Sequence, residues 1–178
     1  MKQQIRSTIA DSISDFHMPR FEDIPGIGLY LEQTVSYICE YLSPILDEAI
    51  THSMVSNYVK KKLVSNPVHK QYSREQIASL FFIAVTKSVL SLENIRVLLN
   101  IQEARYESRV AYNTFCDELE RVIGHVFGCG ELAEEAAAPH IREASTQEQE
   151  EKEILSNTVI AVAHKIYLDK WIRQYARE

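Results

Sequence analysis

Residues 51–74 read THSMVSNYVKKKLVSNPVHKQYSR, and this stretch decides the fold. It holds five Lys/Arg and no acid within a chain of net charge −6, so the other residues sum to −11 and the basic charge is gathered in one place. Ser53 carries a hydroxyl able to cap the open amides of a first helical turn. Val55, Tyr58, Val59 and Leu63 follow at three- and four-residue steps. That spacing turns them inward and leaves Ser56, Asn57, Lys60 and Lys61 on the outer face of a helix from Ser53 to Lys62. Asn66-Pro67 stops the helix, because proline lacks an amide donor and disfavours helical backbone in the residue before it. Val68 to Tyr72 can form a short wing, and Ser73 through Gln76 reads as a capping box that opens another helix. Helix, turn, wing and capped helix is the layout of a winged helix-turn-helix, an arrangement that meets DNA.

Working outward, the helix after Ser73 places Ile77, Leu80, Phe81, Ala84, Val85 and Val89 over much of its circumference and is expected at the centre of the core. Upstream, Leu31, Val35, Ile38 and Leu42 recur at helical spacing with Tyr30, Tyr37 and Tyr41 between them, until Ser43-Pro44 ends the run. Before that lies a weak helical start and then PRFEDIPGIG, punctuated by Pro19, Pro25, Gly26 and Gly28, read as an arm or a packing lead-in. Downstream, Ser91 is placed to cap a helix from Leu92 to about Phe127, with Leu98, Ile101, Arg105, Ser108, Tyr112, Phe115, Leu119, Val122 and Val126 along one mainly apolar stripe that has polar interruptions near its middle. Gly128-Cys129-Gly130 ends it. Residues 131–153 carry eight acids against two Lys/Arg and read as a solvated face or connector. A last helix, from about Ser145 through Tyr175, offers Leu155, Val159, Val162, Ile166 and Trp171 as its packing stripe.

The whole chain fits this reading. With 178 residues, 46% of them hydrophobic, a real core can form, and five Gly and five Pro are too few for a β sandwich or barrel. The expected class is all-α, mainly helical, with a small β wing and long C-terminal helices. Three domains are expected: an N-terminal arm over 1–27, a winged helix-turn-helix over 28–100, and a helical dimerisation or effector region over 101–178. Three widely spaced cysteines, Cys39, Cys116 and Cys129, argue against a disulfide framework and for a cytoplasmic location. No segment approaches membrane-spanning length, so no membrane partner is expected.

The segment MVSNYVKKKLVSNPVHKQYSREQIASLFFIAVTKSVLSLENIRVLL resembles the DNA-binding domain of MerR-family bacterial transcription regulators. It resembles more closely an uncharacterised bacterial family, domain of unknown function 1836, as PRFEDIPGIGLYLEQ also does. The resemblance rests on the Tyr58 helix ending in Lys62-Leu63-Val64, on Tyr72-Ser73-Arg74, and on Ser91-Leu92-Glu93-Asn94-Ile95, and covers roughly 19–100. The MerR likeness implies that the helix 53–62 enters the major groove, that the turn 68–72 touches the phosphate backbone, and that the helix 92–127 pairs two copies in an antiparallel coiled coil. Here Ser56-Asn57-Tyr58 replaces the Arg-Tyr-Tyr of such recognition helices, and Lys62 stands where a Gly commonly ends the helix.

Double-stranded DNA is therefore the expected partner, met by Ser56, Asn57, Lys60, Lys61, Lys62, Lys70, Tyr72 and Arg74. Asn57 can form paired hydrogen bonds with an adenine edge and Ser56 a single one, while the cationic side chains neutralise phosphates and Tyr72 can donate its hydroxyl to one. A homodimer is expected, because the long helix exposes too much apolar surface unless the last helix folds back over it. A small-molecule effector could sit among Tyr106, Tyr112, Phe115 and Trp171, residues that also serve as ordinary packing aromatics. The other class consistent with the residues is a non-catalytic protein-interaction or adaptor module on the same scaffold. No catalytic constellation, phosphate loop or Cys-x-x-Cys is found, so no enzyme and no cofactor are expected. Cys116, His125 and Cys129 fit no standard zinc spacing, and no metal is expected.

Overall fold

The computed structural model describes residues 2–47, 49–128 and 147–176. Among them are seven α-helices and one two-stranded antiparallel sheet. In chain order these are α1 (Lys2–Asp11), β1 (Leu29–Tyr30), α2 (Leu31–Leu42), α3 (His52–Lys60), β2 (Gln71–Tyr72), α4 (Arg74–Thr86), α5 (Leu92–Arg105), α6 (Ser108–Phe127) and α7 (Gln147–Tyr175). The protein is mainly helical, as its composition requires. It divides into two compact units, one of His17–Cys116 and one of Met1–Phe16 with Asp117–Glu178.

The unit His17–Cys116 is built around α4, in which every residue from Leu80 to Thr86 is buried. Ser79 alone is partly exposed between Ile77 and Thr86 on the inward side of the sequence pattern. The capping box forms as read: the Gln76 amide donates to Ser73 Oγ at 3.4 Å, and the Ser73 amide donates to Gln76 Oε1 at 2.8 Å. Phe81 is fully buried, with the rings of Tyr37, Tyr41 and Tyr112 at 6.0, 6.3 and 6.1 Å. Around this centre α2 presents Thr34, Ile38 and Leu42, and α5 presents Ile95 and Leu99.

The lead-in PRFEDIPGIG is packed rather than free. The Phe21 amide donates to Asn113 Oδ1 at 2.9 Å, and Arg109 pairs with Glu22 at 3.4 Å. Gly28 lets the chain pass over β2, since a Cβ there would lie 2.7 Å from the Cβ of Gln71. β1 then pairs with β2, Leu29 opposite Tyr72 and Tyr30 opposite Gln71, so the residues just before α2 are tied to those just before α4.

Two sequence expectations are corrected. The cap of α3 is Thr51, whose Oγ1 accepts from the Met54 amide at 3.3 Å; Ser53 lies inside the first turn, its hydroxyl 3.0 Å from that of Thr51. The helix expected from Leu92 to Phe127 is two helices, because Tyr106 is extended (φ −125°, ψ 144°) and closes α5. The reason is geometric. α5 buries Ile95 and Leu99, whereas α6 buries Tyr112, Phe115 and Cys116. On one continuous helix Leu99 and Phe115 would point about 160° apart, at roughly 100° per residue. A break is needed for both faces to be buried. The expected stripe through Leu98 and Ile101 hid this conflict, and both of those residues remain partly exposed.

In the other unit, α1 buries Ile5 and Ile9, with Ile13 just beyond its end. The second half of α6 buries Leu119, Val122, Ile123 and Phe127 before Gly128 (φ 73°) ends it. α7 buries Val159, Val162, Ala163 and Ile166, close to the stripe read from sequence. The last helix does fold back: Phe127 meets Tyr167 at 5.3 Å between ring centroids, and Ser156 donates to Glu118 Oε1 at 2.6 Å. Burial opposes ionisation of Glu118, but hydrogen bonds from Arg121 and Ser156 outweigh it and hold its pKa below the usual carboxylate value. The acidic tract at 131–146, with Cys129 and the expected start of α7 at Ser145, lies outside the described residues.

Candidate nucleic-acid interface

α3 separates its residues as the spacing demands. Val55 and Tyr58 are buried, at 0% and 3% exposure, while His52, Ser53, Ser56, Asn57 and Lys60 all face solvent. Tyr58 belongs to the core, and its burial raises the pKa of its hydroxyl. Ser56 Oγ donates to the His52 carbonyl at 2.9 Å, so its hydrogen is spent within the helix and its lone pairs remain to accept. Asn57 is exposed one residue further on.

The helix ends in a manner that displays more cation. Lys61 caps it, and its amide donates to the Asn57 carbonyl at 2.8 Å. Lys62 then takes a left-handed conformation, φ 58°, the geometry a glycine would adopt at this place. Lys60, Lys61 and Lys62 are all exposed, and among the described residues none of them is in an ion pair. At Val68–Gln71 two hydrogen bonds close a tight turn, Gln71 amide to Val68 carbonyl at 2.9 Å and the reverse at 3.1 Å. Its central residues, His69 (φ 50°) and Lys70 (φ 66°), both have positive φ, the signature of a type I′ hairpin turn. Lys70 is exposed at its tip.

Tyr72 and Arg74 are placed differently from the other six candidates. Tyr72 is 4% exposed, paired with Leu29 in the sheet, so its ring belongs to the core and does not reach out to a phosphate. Arg74 Nε donates to the Ile24 carbonyl at 2.7 Å and its Nη2 to the Glu22 carbonyl at 3.3 Å. Its guanidinium also lies 5.6 Å from the centre of the Phe21 ring. This arginine fastens the lead-in to α4. The short distance from Lys70 along the chain suggested one basic patch, and only the fold reveals two.

Gln76 is the residue that sequence reasoning missed as more than a cap. Its Nε2 donates to the Ser65 carbonyl at 2.8 Å and approaches Ser65 Oγ at 2.9 Å and the Asn66 carbonyl at 3.3 Å. One side chain thus holds the α3-to-turn loop against the start of α4. Of the residues weighed for metal, Cys116 is buried and its Sγ donates to the Pro19 carbonyl at 3.7 Å, and Nδ1 of His125 is buried without a hydrogen-bond partner among the described residues. Among the described residues no group of three or more His, Cys, Asp or Glu could hold a metal ion, and no helix is long and apolar enough to cross a membrane.

These elements define a helical domain that carries a lysine-bearing helix face and a tight turn with a lysine at its tip. The chain belongs to the family described as domain of unknown function (DUF1836), whose model matches residues 19–115, a little over half of the sequence. The match coincides closely with the compact unit His17–Cys116. No curated protein and no solved structure matches the chain.

Proposed function

We propose that this protein is a bacterial DNA-binding transcriptional regulator, reading DNA with the outer face of α3 and holding the phosphate backbone with the turn 68–71, in a MerR-like winged helix-turn-helix. The observation that carries the reading is the two-sidedness of α3: Val55 and Tyr58 are buried while Ser56, Asn57 and Lys60 are exposed, with Lys61 and Lys62 exposed just beyond. The pairing of β1 with β2 supports it, because it ties the turn to the entry of α2. Asn57 offers the paired donor and acceptor that suit adenine, a contact worth about 1–3 kcal/mol of discrimination. Ser56 accepts from a base donor. Lys60, Lys61, Lys62 and Lys70 supply phosphate neutralisation, and the local field matters more than the net charge of −6, since charges act over about 8–10 Å in physiological salt.

The regulator acts as a homodimer. Most apolar residues of α6 are buried within the chain, Val110 at 47% exposure being the exception, so the pairing surface is placed on α7, where Ile154, Leu168, Ile172 and Tyr175 are 45–58% exposed and follow one another at fourteen-, four- and three-residue steps. Selection of genomic fragments by the purified protein at two salt concentrations tests the function, beside a Lys60→Glu, Lys61→Glu variant. A recurring palindromic site lost by the variant is the expected result, with a log–log salt slope of about −0.9 per neutralised phosphate. Recovery of background DNA alone by a folded wild-type protein would refute it. One observation favours the adaptor reading: Ile27, Tyr30 and Val68 are 79%, 52% and 70% exposed around the small sheet, where Tyr30 and Val68 both pair with Gln71. An adaptor would retain a protein partner on this surface and show no salt slope on DNA.

A further inference from the structure

A cleft of about 500 Å³ opens within the unit His17–Cys116. That is inside the range of roughly 300–1,000 Å³ typical of small-ligand sites. Its walls come from five places: the end of α3 with the loop after it, α4, α5, the break between α5 and α6, and the first two turns of α6. The kink forced by the conflicting faces of α5 and α6 therefore also shapes a concavity. Phe82, Leu99 and Phe115 supply its apolar surface, each at most 5% exposed. Tyr106 and Tyr112 line it as well, in keeping with three of the four aromatics considered for a ligand pocket; Trp171 instead stacks on Tyr175, 5.3 Å away in the other unit.

The charges on the walls restrict what fits. Lys62 and Arg96 both line the cleft, both are exposed, and neither is in an ion pair among the described residues. Glu75 and Glu103 are also on the walls, and the Glu75 carboxylate already accepts from Ser73 Oγ at 2.7 Å. We propose that this cleft binds a small amphipathic monoanion: an apolar aromatic or branched body, one acidic group for Lys62 and Arg96, and one hydrogen-bond donor for Glu103. A second negative charge would face Glu75 and Glu103 and be repelled.

Binding there has a consequence that rests on the DNA reading. Lys62 belongs to both surfaces, so an acid held in the cleft takes it from the phosphate backbone. Gln76 and Asn66 also line the cleft, and Gln76 is the side chain that holds the α3-to-turn loop. A ligand that engages them alters the loop joining the reading helix to the turn.

Fluorescence titration of the full-length protein with anilinonaphthalene sulfonate, an aromatic monoanion with one N–H donor, tests the site. Expected are saturable binding at one site per chain, at least about tenfold weaker binding in Arg96→Glu, loss in Ala111→Trp, which fills the cleft, and no change in Arg6→Glu on α1. Arg96 is exposed, so its variant decides the matter if Ala111→Trp fails to fold. Equal binding by wild type and Arg96→Glu, or no saturable binding, would overturn the site. The coupling is read separately: the probe should release DNA from wild type and not from Ala111→Trp. Release from both, or from neither with the probe bound, overturns the coupling and leaves the site; probe binding by a protein that retains no DNA refutes the DNA reading alone.

Discussion

Lys60 to Lys62 and Arg74 form one basic stretch along the chain and two populations in the fold. The lysines stand at the end of α3 with no ion pair among the described residues. Arg74 is turned back onto the lead-in, where two backbone carbonyls and the face of Phe21 receive it. A cation close in sequence to an exposed basic face is thus not necessarily part of it. A guanidinium with several donors and a flat, weakly hydrated surface suits partly buried carbonyls and rings, whereas an ammonium on a flexible stem is more readily left in water.

Substitutions can break or sharpen that contrast. Phe81→Ala sets the scale for the inward side: with its surrounding rings left around a cavity, chemical denaturation should show a loss of about 3–5 kcal/mol. Arg74→Ala should cost roughly 1.5–3 kcal/mol, the range for hydrogen bonds involving a charged group, and Arg74→Lys should recover only part of it. If Arg74→Ala melts like wild type, the separation between the two populations is lost. Thr51→Ala should cost about 1 kcal/mol as the cap of α3, and Ser53→Ala much less, which checks the corrected cap. Lys62→Gly should raise stability by about 0.5–1 kcal/mol, because a left-handed L-residue is strained and glycine returns part of that gain as chain entropy. The smallest change in stability, within about 0.5 kcal/mol, is expected for Lys60→Glu with Lys61→Glu, the pair with the largest expected effect on DNA retention. A large loss of stability there would mean that the lysine face is structural too.

What could be read from the chain was local. The capping box of Ser73 with Gln76 and the cap that Ser91 gives the Asn94 amide join residues three apart, so their hydrogen bonds are visible in the spacing. The same is true of the split between Val55 or Tyr58 and Asn57 or Lys60, since helical periodicity alone assigns the faces. Choosing between Thr51 and Ser53 as the cap was harder, because both are hydroxyls and the backbone entering the helix decides which one reaches Met54. The break at Tyr106 was hidden for a stronger reason: the stripe stays in phase through its polar members Arg105 and Ser108, and only the partners on either side show that α5 and α6 must bury different directions.

The sequence by itself determined a mainly helical protein, where most of its helices lie, which face of α3 meets solvent, and membership of a family centred on residues 19–115. Periodicity, capping and composition act over a few residues, and that is enough for these. Only the tertiary structure decided that β1 pairs with β2, that Arg74 and Tyr72 leave the basic face, that Gln76 holds the loop from α3 to the turn, and that a cleft opens where the helix breaks. Each depends on groups brought together from distant parts of the chain, where burial and unsatisfied carbonyls, not local spacing, select the partner.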